Sequence, residues 1–125
     1  KVASGGELSR LMLSIKSLIA KNTSMPSIIF DEIDTGVSGG VAEQVGQMIL
    51  FMSEAMQVVA ITHLPQIASK GNSHITVFKE ESKSKTITNI KLLSKEERVM
   101  EIAAMLSAGK PTDASVKNAK ELLKV

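Results

Sequence analysis

The sequence predicts an α/β fold: a mostly parallel sheet with flanking helices, followed by a C-terminal hairpin plus helices. Three observations predict it. Ser27 to Asp31 and Gln57 to Ile61 are short apolar runs without clear polar alternation, the pattern of strands buried on both faces of a parallel sheet. Helical apolar stripes stand before, between and after these runs, and such alternation is how parallel α/β layers are built. Farther on, two strand-like runs flank the polar stretch Glu80-Glu81-Ser82-Lys83-Ser84-Lys85, which reads as a hairpin with a solvated tip.

Each element has its own signal. Ser4 with Glu7 is a capping box, and Leu8, Leu11, Met12, Ile15, Leu18 and Ile19 follow at helical spacing. A helix is therefore expected from Ser4 to about Lys21. Asn22-Thr23-Ser24-Met25-Pro26 breaks it. After the first strand, Asp34 to Gly40 is a glycine-containing loop, and Val41, Val45, Met48, Ile49 and Met52 form the next helical stripe. Leu64 to Lys70 suits a short helix, with Pro65 tolerated in its first turn. Gly71-Asn72-Ser73 is a turn, and His74 to Lys79 and Thr86 to Leu92 are the hairpin strands. Ser94 with Glu97 is another capping box, opening a helix through Val99, Ile102, Ala103 and Leu106. Gly109 and Pro111 punctuate, and Thr112 caps a last helix to about Lys124.

Composition narrows the functional classes. The chain has 125 residues, enough for one domain with a real core, and no internal boundary stands out. Lys and Arg number 15 against 13 Asp and Glu, a net charge of +2, too mild to argue by itself for nucleic acid or an anionic membrane. There is no Cys, which rules out disulfides and thiolate metal sites and fits a reduced, cytoplasmic setting. No apolar stretch approaches the roughly 18–20 residues that cross a bilayer, so no membrane partner is expected. Three Phe with no Tyr or Trp make a base-stacking platform for single-stranded nucleic acid a poor reading. The chain opens inside a motif without an initiator Met, so a segment of a longer protein is expected.

Several residues could carry chemistry. Asp31 and Glu32 are adjacent carboxylates at the C-terminal end of a strand, where open α/β sheets bind ligands. Successive strand side chains point differently, so one can hold Mg²⁺ while the other orients an attacking water. Ser4-Gly5-Gly6-Glu7 opens a helix; the unpaired N–H groups there attract phosphate, and glycine allows close approach. The plain alternatives are a solvated strand end and an ordinary capped helix. His63 follows the second strand, where an imidazole can reach a terminal phosphate over the sheet edge; a structural role is the plainer reading of a lone histidine. His74 has no supporting context. Gly36-Val37-Ser38-Gly39-Gly40 matches the nucleophile-elbow pattern G-x-S-x-G, but Glu32 to Gly36 separate it from the strand. Ser38 is better read as the N-cap of the helix starting near Gly39. No G-x-x-x-x-G-K-[ST] phosphate loop occurs anywhere in the chain.

Taken together, the constellation resembles the C-terminal half of an ABC-type, P-loop ATPase head. Ser4-Gly5-Gly6-Glu7 resembles the ABC signature, Ile28-Ile29-Phe30-Asp31-Glu32 resembles Walker B with its catalytic glutamate, Asp34 lies where the D-loop would be, and His63 resembles the switch histidine. Val2 to Arg10, Phe30 to Gly39 and Thr62 to Ala68 are similar in wording to an SMC-related family of bacterial DNA repair ATPases, and the resemblance covers nearly all of residues 1–125. Transporter ATPases more often have Gln in place of Glu7 and a Ser-Ala-Leu-Asp D-loop.

The resemblance implies a mechanism and partners. Two heads sandwich two ATP molecules, each site taking its phosphate loop from one head and its signature from the other. Ser4, Gly5, Gly6 and Glu7 would contact the γ-phosphate held by the partner head, Asp31 would support Mg²⁺, Glu32 would polarise the water, His63 would sense the γ-phosphate and Asp34 would couple the two sites. The partners implied are a second head, the N-terminal half of the same head, and DNA through the full protein, in the bacterial cytoplasm at the nucleoid. Without the phosphate loop, these residues alone are expected not to hydrolyse ATP. The alternatives are an SMC-like head in chromosome organisation, a transporter ATPase, or a non-catalytic interaction module.

Overall fold

The computed structural model describes Ser14 and residues 25–31, 33–82 and 85–125. The helix expected from Ser4 to about Lys21 falls outside the described residues, apart from Ser14, which is helical and exposed. The chain divides after Lys70 into two compact units.

The first unit is a β-α-β arrangement. Strand β1 (Ser27–Asp31) and strand β2 (Gln57–Ile61) pair in parallel, from Ser27 opposite Gln57 to Asp31 opposite Ile61. Helix α1 (Gly39–Met52) is the crossover between them, and parallel strands need such a connection. Ile28 and Phe30 on β1 pack with Val37, with Ala42, Val45, Ile49 and Met52 of α1, and with Ile67. Ile67 lies on helix α2 (Pro65–Ala68). Gly46 makes the α1–α2 approach possible: a Cβ there would stand 3.0 Å from the Gln66 carbonyl oxygen. Lys70 closes the same contact through its 2.6 Å ion pair with Glu43.

Three expectations need correction here. The strands are not buried on both faces: β1 alternates buried and exposed residues, and Ile29, Val59 and Ile61 lie exposed opposite the α1 face. Among the described residues α1 covers one face, and the β-branched side chains of the other face stay exposed. Ser38 sits at the N-cap of α1, as the sequence suggested, but its side chain makes no capping bond. The short helix spans only Pro65–Ala68 rather than Leu64 to Lys70. Leu64 stays extended as the residue before proline.

The second unit begins with a hairpin. Strand β3 (Ile75–Ser82) and strand β4 (Lys85–Leu92) pair antiparallel, from Ile75 opposite Leu92 to Ser82 opposite Lys85. The ladder runs into the polar stretch expected to be the tip, as far as Ser82 opposite Lys85; residues 83 and 84 lie outside the described residues. Antiparallel pairing accepts polar residues when they meet cross-strand partners, and Asn89 donates to Glu80 at 2.9 Å. Helix α3 (Lys95–Leu106) and helix α4 (Asp113–Leu123) follow, with Val99, Ile102, Ala103 and Ala119 buried.

Both helices start as the sequence predicts. Ser94 and Glu97 exchange side-chain-to-backbone hydrogen bonds at 3.2 and 3.0 Å. Thr112 does the same with Ser115 at 3.2 and 2.8 Å. Ile75, Val77, Ile90 and Leu92 share one face of the hairpin by register and are all exposed, an apolar patch of the kind that marks a covered surface in a larger assembly. Among the described residues, no helix is long and apolar enough to cross a membrane.

Candidate functional site

The parallel register brings the functional candidates together. Asp31 is the Cα partner of Ile61, so both strands end at one edge and both following loops start there. Asp31 is exposed at that edge. The chain after β1 turns at once. The Val37 N–H donates to the Asp34 carbonyl at 3.0 Å, and Gly36 has φ +72°. A positive φ at the third residue of such a turn demands glycine or a close substitute.

This turn drives the Asp34 side chain inward, where it is only 2% exposed. One carboxylate oxygen, Oδ2, accepts from the Thr62 hydroxyl at 2.5 Å and from the His63 backbone N–H at 2.9 Å. It also faces His63 Nδ1 at 3.1 Å. Thr62 in turn accepts from the Leu64 N–H at 3.0 Å. Two donors and an imidazole nitrogen around one buried oxygen tie the loop after β1 to the loop after β2. A buried carboxylate needs such donors, because an unpaired one is costly. The imidazole itself is 74% exposed, so the ring is anchored at one nitrogen and open at the other.

Of the residues singled out in the sequence, Asp31, Asp34 and His63 are described and meet at this edge. Ser4, Gly5, Gly6, Glu7 and Glu32 lie outside the described residues. Thr62 is a site residue that sequence reasoning passed over. Its signal was its place between the strand end and His63, but its partner stands 28 positions away.

The site's chemistry fits a phosphate ligand carrying its own metal. Mg²⁺ takes one or two carboxylates and fills its other positions with water and phosphate oxygens, so the exposed Asp31 suits it. Among the described residues no group of three or more His, Cys, Asp or Glu could hold a metal ion on its own. The other histidine is different. His74, half-buried in the second unit, has its pKa lowered from the ordinary 6.5 by burial first, then by the Arg98 charge, against the opposing effect of Glu101.

Comparison with known proteins gives the chain its relatives. No family model matches it. It is 50% identical over 124 residues to DNA repair protein RecN of Bacillus subtilis, covering 99% of this chain and 22% of that protein. It is 47% identical over 123 residues to RecN of Rickettsia bellii and 44% identical over 123 residues to RecN of Vibrio cholerae, in each case covering 98% of this chain and 22% of the relative. The chain thus spans about a fifth of the length of the relatives it matches. Among solved structures it resembles one described as "Structural biochemistry of ATP-driven dimerization and DNA stimulated activation of SMC ATPases". That likeness has a TM-score of 0.61 at 22% identity, over 76% of this chain and 56% of the other. It is a likeness of fold.

Proposed function

We propose that this chain, a segment of the RecN family by its sequence, forms part of an ATP-binding and ATP-hydrolysing head that serves DNA double-strand-break repair and recombination. The observation that carries the reading is the parallel register of β1 with β2, which ends Asp31 and the approach to His63 at one sheet edge. That edge is where α/β sheets take ligands. The identity to RecN proteins over nearly the whole chain supports the same reading.

The reaction is ATP plus water to ADP plus phosphate. Glu32 follows Asp31 on the chain and orients the attacking water from the end of β1. Asp31 would support Mg²⁺, which would supply charge neutralisation at the transferring phosphate. His63, open at the far side of its ring, contacts the terminal phosphate. Ser4, Gly5, Gly6 and Glu7 serve the nucleotide of a second head, so ATP draws two heads together, and Asp34 links the two sites. The exposed apolar faces of both sheets belong against the N-terminal half of the same head. The identity to RecN proteins supports DNA binding by the full protein and a place in the bacterial cytoplasm.

The test is hydrolysis by the full-length protein containing this chain. Glu32→Gln should leave ATP binding intact and slow turnover by roughly 10²-fold or more, about 2.7 kcal/mol of barrier. Turnover near the wild-type rate removes Glu32 from the role and the ATPase reading loses its base.

A further inference from the structure

We infer that Asp34 is a positioning residue that acts within its own chain through His63, holding the imidazole by Nδ1 so that Nε2 is the nitrogen presented to a terminal phosphate. The inference rests on the reading of His63 given above and adds to Asp34 a role in cis. The geometry has three parts. The carboxylate is buried and its Oδ2 stands 3.1 Å from Nδ1. The same oxygen holds the His63 backbone N–H at 2.9 Å, so the residue is gripped at both main chain and ring. The Asp34 carbonyl is itself pinned by Val37 N–H at 3.0 Å in the Gly36 turn, which leaves the carboxylate little freedom to swing away.

Hydrogen-bond chemistry then determines the ring. An ionised carboxylate only accepts, so Nδ1 must carry the hydrogen. In the neutral ring Nε2 is then an acceptor, suited to a donor such as water; in the imidazolium Nε2–H donates, suited to a phosphate oxygen. With the ring fixed at Nδ1 and most of its surface exposed, Nε2 is directed outward in either state. Histidine orientation by a carboxylate on the other nitrogen is a recurring device in catalytic and metal sites. Here the partner is a residue 29 positions earlier, on the loop after the neighbouring strand.

The experiment uses the full-length protein with ring-¹⁵N-labelled histidine, the His63 signals being identified by their loss in His63→Ala. Wild type should show the Nδ1–H tautomer in the neutral ring, and Asp34→Ala should convert it to the Nε2–H form that free imidazole prefers. In ATP hydrolysis, Asp34→Ala should lower kcat about ten-fold with KM for ATP within about two-fold, and should add nothing once His63 is alanine. A wild-type Nε2–H tautomer overturns the tether even if the variant folds poorly. Additive losses in the double variant show that Asp34 acts elsewhere and also overturn it. An Nδ1–H tautomer with hydrolysis unaffected by His63→Ala overturns instead the phosphate reading on which the inference rests.

Discussion

The two sheets of this chain are built on opposite plans. β1 and β2 are five-residue parallel strands that need all of α1 between them, while β3 and β4 are eight-residue antiparallel strands separated by residues 83 and 84 alone. The parallel plan sends both C-terminal ends to one edge, so loops far apart in sequence meet there; Asp34 reaches Thr62 and His63 in this way. The antiparallel plan pairs near neighbours through its ladder and adds short-range bonds, Asn89 to Glu80 and Lys91 to Glu97, while Thr76 donates to Glu101 on α3 and Arg98 reaches back to the Gly71 and Asn72 carbonyls. The candidate site gathers where the parallel topology converges unlike residues on one edge.

Breaking the core under the parallel pair should have the largest effect. Phe30 is fully buried among α1 side chains, and Phe30→Ala should cost about 3–5 kcal/mol in chemical denaturation. Amide exchange over residues 27–61 should accelerate most. Next comes the α1–α2 contact that backs the loop after β2. Gly46→Val puts a side chain against the Gln66 backbone and should cost about 1–3 kcal/mol by overpacking. A neutral result would mean that α2 is free to move away.

The antiparallel half should respond to local changes. Ser94→Ala removes the hydroxyl that caps α3 and should cost about 1 kcal/mol, read from the denaturation midpoint. The smallest effect is one of pH. His74 has a lowered folded pKa, caused first by burial, and its Nδ1 is buried with no hydrogen-bond partner among the described residues. The unfolded chain therefore takes up the proton first as pH falls. The contribution to stability is complete above about 6.5 and is lost as pH drops below it. His74→Asn should flatten that slope, and an unchanged slope would assign it to another group.

Local signals were legible in the sequence and long-range ones were not. The bounds of β1 and β2, the start of α1, the capping box at Ser94 and the cap at Thr112 follow from periodicity and from local residue patterns. The exposed alternate faces of β1 and β2 could not be read, because Ile29, Val59 and Ile61 look the same in sequence whether or not a layer covers them. The strand character of Glu80, Glu81, Ser82 and Lys85 was hidden because polar residues gain it only from cross-strand partners. At the site, Asp31 and His63 stood out as strand-end residues. The burial of Asp34 and the part played by Thr62 depend on a turn at Gly36 and on contacts 28 and 29 positions away, which no short pattern contains.

In the proposed reading the shared C-terminal edge of β1 and β2 meets the terminal phosphate of ATP. A crystal structure of the full-length protein carrying Glu32→Gln, with ATP and Mg²⁺ bound, tests it most directly. A terminal phosphate oxygen is expected within about 2.7–3.2 Å of His63 Nε2, with Asp34 still on Nδ1 and Asp31 on the metal side. A nucleotide bound away from this edge, with His63 touching no phosphate, would contradict it.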